Sequence, residues 1–127
     1  MSIGQILALL GAAIAVVGSG MGSSGGVGIA GETSAGVSTE NPEVNSKLLL
    51  LQLLPATQGI YGFLIAVIVL INTNVLGGAM KAVELYQGLG LLIGCLPIGL
   101  VGFFSGIKQG QVAAAAMIMT GQRPAMS

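Results

Sequence analysis

The chain has 127 residues, 54% of them hydrophobic and only 6% charged, with four Lys or Arg side chains balancing four Asp or Glu. Soluble domains carry about 25% charged residues, so this chain has little to offer water on all sides, and a bilayer is the solvent that suits it. Zero net charge leaves no basic face for nucleic acid. With no histidine and one cysteine, a Ser-His-Asp triad and a zinc cluster are both excluded, and catalysis by this chain alone is not expected.

The first apolar stretch begins near Ile3, runs to Val17 and continues through a Gly/Ser-rich segment to about Gly31. It lacks the basic leader of a signal peptide, so it is expected to remain as a membrane span. Gly20, Ser24 and Gly28 are small residues at four-residue steps, a pattern that lets helix backbones approach closely. A polar segment, 33–47, follows with Glu40, Glu43 and Lys47. Within it Asn41-Pro42-Glu43 reads as a helix start, with Asn as N-cap and Pro at the first position.

The second span, 48–71, has 24 residues and no charge, enough to cross about 30 Å of hydrocarbon. At its centre Leu54, Thr57, Gln58 and Tyr61 follow i, i+3, i+4, i+7 spacing and share one helix face. Polar groups are costly in hydrocarbon, so that face is expected to meet protein. Pro55 has no N–H and removes the bond normally made to the Leu51 carbonyl, which loosens backbone oxygens beside the polar side chains. A hydroxyl, an amide oxygen and a freed carbonyl are the ligands a hard cation takes. Ordinary interhelical hydrogen bonding accounts for the same residues and, on the residues alone, is the favoured reading.

A second polar connection, 72–86, holds Asn72, Asn74, Gly77, Gly78, Lys81 and Glu84. The third span runs from about Leu89 to Ile107 and continues as helix to Met119, with Gly102, Gly106, Gly110 and Ala114 as a second small-residue row. Cys95 reads as an inert buried thiol, and Gln109 is a possible further partner for Gln58. Such rows suit either a tightly packed helix pair or an inner ring of helices. Shifted by 86 residues, the first span matches the third at Gly4 and Gly90, Leu10 and Leu96, Ser19 and Ser105, and Ala30 and Ala116, which suggests a duplicated hairpin. The expected organisation is one membrane domain, 1–127, with helices at about 3–35, 44–72 and 85–119 and a polar turn at 120–127. Lys47, Lys108 and Arg123 against Lys81 place the 33–47 segment and the C-terminal end in the cytoplasm.

The run LLQLLPATQGIYGFLIAVIVL, residues 50–70, closely resembles the second helix of the proteolipids of prokaryotic V/A-type rotary ATPases, the K- or c-type proteins that form rotor rings. SGMGSSGGVGIAGE (19–32), Asn41-Pro42-Glu43 and FFSGIKQGQVAAA (103–115) agree in the same order. The resemblance implies an all-α membrane protein of transmembrane helical hairpins packed into a rotor ring, with three helices here of an expected four. It implies a non-catalytic component of an ion-translocating ATPase, carrying Na+ or H+ and needing no other cofactor. Its partners would be copies of itself, stator and central-stalk subunits, and lipid, in a prokaryotic cell membrane. Carried over, Leu54 gives a backbone carbonyl, Thr57 a hydroxyl, and Gln58 and Gln109 amide oxygens to a sodium ion. Tyr61 closes the site against a carboxylate.

That essential carboxylate is the departure. Single-hairpin relatives place Glu at the x of L-P-x-T-Q, where this chain has Ala56. Double-hairpin relatives place it in a fourth helix, for which the chain does not extend. Glu32 and Glu84, at helix ends, are poor substitutes. An incomplete copy and a three-helix variant that carries no ion both stand as readings, beside a structural or pore-forming helix bundle. Lys108, where relatives have a small residue, is a second departure.

Overall fold

The computed structural model describes residues 2–75, 77–78 and 80–123, and every regular element among them is helical. In chain order these are α1 (Ile3–Glu40), a 3-10 turn (Pro42–Val44), α2 (Asn45–Leu53), a second 3-10 turn (Leu54–Ala56), α3 (Thr57–Asn72) and α4 (Leu85–Gln122). Three continuous stretches are long and apolar enough to cross a membrane: Ile3–Glu40, Pro42–Asn72 and Leu85–Gln122. Helix is the form that satisfies backbone groups within one segment in lipid.

The two long helices start alike. Ser2 Oγ accepts from the Gln5 backbone N–H at 3.2 Å while Gln5 Oε1 accepts from the Ser2 N–H at 2.8 Å, closing a capping box. Glu84 forms the same reciprocal box with Gln87 at the start of α4. Glu84 is therefore a helix cap. The connection between α3 and α4 is tied to the head of α1, where Gln5 Nε2 donates to the Lys81 carbonyl at 2.9 Å.

α1 and α4 run parallel and touch backbone to backbone. A Cβ on Gly106 would fall 2.6 Å from the Gly22 carbonyl oxygen and 2.8 Å from the Ser23 nitrogen, and one on Gly110 would overlap Gly26. On α1 the packed row is Gly18, Gly22 and Gly26, not Gly20, Ser24 and Gly28 as the sequence suggests. A Cβ on Gly20 or Gly28 would meet nothing within 4 Å, and Ser24 is exposed. The expected row on α4 does pack: Gly102, Gly106, Gly110 and Ala114 are all buried.

The second span crosses this pair in the opposite direction. Ala66 and Val69 of α3 pack on Ala8, Ala12, Ala15 and Cys95 near one end. Val44 and Leu48 pack on Ala30, Ala113 and Met117 near the other. Cys95 is 2% exposed, a thiol buried within the first of these apolar clusters.

Three local expectations change. α1 continues past residue 35 to Glu40, and α2 begins at Asn45, so most of the 33–47 segment is helical and Glu32 lies inside α1, exposed. Hydroxyls there find local partners, Thr39 Oγ1 donating to the Gly36 carbonyl and Ser38 Oγ to Asn45 Oδ1, both at 2.7 Å, so polarity does not end the helix. Asn41 caps no helix start with its side chain; it ends α1, and its Nδ2 donates to the Gly121 carbonyl at 3.1 Å. α4 likewise runs past residue 119 to Gln122, so 120–122 is helix and not turn, and 124–127 lie outside the described residues.

Candidate cation site

Pro55 sets the local geometry. It is fully buried against α1, and the chain around it tightens into the 3-10 turn that divides α2 from α3. A proline inside a helix cannot donate backward, and a tightened turn is one way the chain absorbs that. Immediately after it, Thr57 Oγ1 has two acceptors within reach of its one proton, the Leu54 carbonyl at 3.1 Å and Gln58 Oε1 at 3.2 Å. These three oxygens form one side of a cluster.

α4 provides the other side. Gln58 Nε2 donates to Gln109 Oε1 at 2.7 Å and to Ser105 Oγ at 3.0 Å. Hydropathy along each span separately leaves Gln58 and Gln109 at different depths, yet the structure brings them into direct contact. The cause is the long parallel pairing of α1 and α4, which sets the height of α4 independently of where its apolar run is centred. Both amide hydrogens of Gln58 are committed to α4, so its oxygen is turned toward Thr57.

Four of the five residues singled out on these spans thus lie together: Leu54, Thr57, Gln58 and Gln109. Tyr61, one turn along, is 53% exposed and joins none of these bonds. Lys108 is exposed, whereas its neighbour Gln109 is half-buried; consecutive helical residues point about 100° apart, so its charge is not directed at the cluster. Glu32, Glu40, Glu43 and Glu84 are all exposed. Among the described residues no group of three or more His, Cys, Asp or Glu side chains could hold a metal. The cluster is built of neutral groups, the oxygens of Leu54, Thr57, Gln58, Ser105 and Gln109 with the Gln58 amide nitrogen among them.

Two participants were not singled out from sequence. Ser105 lies one turn before Gln109, and its i, i+4 relation to a polar residue in an apolar helix was a usable signal. Ser23 lies on α1 behind the proline turn. It accepts from the Gly59 backbone N–H at 2.6 Å and donates to the Pro55 carbonyl at 2.7 Å. In the sequence it is hidden within a run of small residues.

The arrangement is suited to a partly desolvated hard cation. Such ions take several oxygen ligands, and a carbonyl, a hydroxyl and two amide oxygens belong to one hydrogen-bonded cluster here. Neutral ligands alone leave a full charge in a low-dielectric medium, so occupancy calls for a carboxylate in addition.

The chain is similar to known proteins along most of its length. The family model for the C subunit of ATP synthase matches residues 10–69. The V-type sodium ATPase subunit K of Enterococcus hirae is 47% identical over 121 residues, covering 95% of this chain and 74% of that protein. The A-type ATP synthase subunit K of Methanocaldococcus jannaschii is 44% identical over 85 residues, covering 66% of this chain and 39% of that protein.

Proposed function

Because the chain belongs to the family of the ATP synthase C subunit, we propose that it is a K-type rotor-ring subunit of a rotary ATPase, and that Leu54, Thr57, Gln58 and Gln109 are its ligands to a sodium ion. The observation that carries the site is the 2.7 Å contact of Gln58 with Gln109, 51 positions apart, beside the Thr57 hydroxyl and the Leu54 carbonyl. The choice of sodium over the proton is supported by the number of neutral oxygens, since a proton needs only the carboxylate. The name of the Enterococcus relative, a sodium ATPase protein, agrees with that choice.

The mechanism is electrostatic. A charged carboxylate at mid-membrane costs about 2.5–3.5 kcal/mol or more in lipid, so it crosses the lipid-facing arc only when its charge is neutralised by the ion. This reading requires an acid on the exposed side of the cluster, where Leu54 is 45% exposed and Tyr61 53%, with the Tyr61 hydroxyl as the donor that would close the site against it. The neutral oxygens replace water around the ion and so set its identity, while the carboxylate sets its charge. Moving one charge through 100 mV is worth about 2.3 kcal/mol, and a ring of such subunits sums this over one turn. Copies of the chain, a stator and a central stalk complete the machine. The test is sodium protection of the ring carboxylate against a carbodiimide in the assembled complex. Protection that Thr57→Ala or Gln58→Ala weakens supports the assignment, and labelling that responds only to pH overturns it.

A further inference from the structure

The turn that carries the site is also held from behind. Ser23 is 8% exposed, and its hydroxyl bonds to the Pro55 carbonyl and to the Gly59 N–H. In an uninterrupted helix those two groups, four residues apart, are each other's partners. The Ser23 oxygen therefore sits astride the first turn after the 3-10 segment. The fit around it is close. A Cβ on Gly59 would lie 3.0 Å from Ser23 Oγ, and one on Gly26 would lie 2.8 Å from the Pro55 side chain. α1 thus meets the proline turn with one hydroxyl and one bare backbone face.

We propose that Ser23 is a positioning residue for the cation site. It touches none of the ligands. It fixes the turn that joins the Leu54 carbonyl to Thr57 and Gln58, and so fixes their mutual distances. Without the hydroxyl, the Pro55 carbonyl and the Gly59 N–H have only each other to satisfy them in lipid. Residues 57–59 then wind tighter, and Thr57 and Gln58 rotate relative to Leu54. The site loses its shape while keeping its ligands. This inference rests on reading the cluster as a cation site.

The experiment measures radiolabelled sodium binding, and the ratio of sodium to lithium affinity, on purified rings from the native complex. Ser23→Ala is expected to weaken sodium about tenfold, equivalent to about 1.4 kcal/mol, and to lower the sodium-to-lithium ratio. Ser23→Cys keeps the side-chain shape with a poorer hydrogen-bonding group, and it should weaken binding in the same direction even if Ser23→Ala fails to assemble. Ser23→Thr, which keeps the hydroxyl, should recover most of the affinity and the selectivity. Ser24→Ala, altering an exposed neighbour whose hydroxyl bonds to the Met21 carbonyl of its own helix, should change neither. If Ser23→Cys binds sodium like the unaltered ring while Thr57→Ala is weakened, the positioning role is wrong and the site assignment stands. If the unaltered ring shows no saturable sodium binding, both fall.

Discussion

Replacing Gly22 with alanine should separate α1 from α4, whereas the same change at Gly20, two residues away, should not. A Cβ at position 22 would lie 2.5 Å from Phe103 Cα and against the Gly102 carbonyl, all of it helix backbone with no side chain able to swing aside. Ordinary contact begins at 3.4 Å, so the two helices must part by about 1 Å along a stretch packed at close to crystal density. Overpacking of this kind costs about 1–3 kcal/mol. Alanine also favours helix over glycine by up to about 1 kcal/mol, but that gain applies equally at Gly20 and cancels in the comparison. Cys95 supplies the reporter: it is the single cysteine of the chain, 2% exposed and packed between α1, α3 and α4. A fluorophore that reacts with thiols, added to detergent-solubilised protein during a temperature ramp, reads the opening of this interface. Gly22→Ala should label at a midpoint several degrees lower than Gly20→Ala. Equal midpoints for the two variants would refute the assignment of the packed face.

Pro55→Ala restores an N–H that can donate to the Leu51 carbonyl and should let the second span run as regular helix, moving the Leu54 carbonyl from its 3-10 bond with the Thr57 N–H to the Gln58 N–H and weakening sodium binding while raising thermal stability of the span; unchanged affinity would show that the 3-10 turn is not needed for the site. Glu84→Ala removes one capping box and should cost about 0.5–2 kcal/mol of stability, with Glu84→Gln retaining more of it, both read in the Cys95 labelling assay. Asn41→Ala loses the bond from the end of α1 to the Gly121 carbonyl and should cost about 0.5–1.5 kcal/mol, detectable as faster amide exchange in the last turn of α4. Gln58→Glu places a carboxylate beside Gln109 and Ser105, and it should make carbodiimide labelling appear at position 58, blocked by sodium if that residue faces the ion.

The polar face of the second span was legible because four residues at helical spacing around a proline stand out in an uncharged run. Gln109 was legible as a residue but not as a neighbour of Gln58. Hydropathy positions each helix against the membrane, while the relative height of two helices comes from how their backbones interlock. The packed face of α1 differs from the sequence expectation for a related reason. In a Gly-rich helix several rows step by four residues, and the step alone does not say which row meets the partner. The row through Gly20 runs into Val16 on one side and Glu32 on the other. The buried row continues as small residues from Gly4 through Ala8, Gly11, Ala15, Ser19, Gly22 and Gly26 to Ala30. Length of the small-residue row, and not its period, was the informative signal. Ser23 stands four residues after Ser19, but in a run of small residues that spacing does not mark it out, and its partners are backbone groups of the second span.

The oxygens of Leu54, Thr57, Gln58 and Gln109 are expected to surround a sodium ion, and equilibrium binding of radiolabelled sodium to the purified ring, with and without Thr57→Ala, reads this without an intermediate step. Saturable binding that the single substitution weakens at least about tenfold, with ring size unchanged, is the expected result, a loss of about 1.4 kcal/mol. Binding that is absent, or that Thr57→Ala leaves unaltered, would contradict the account.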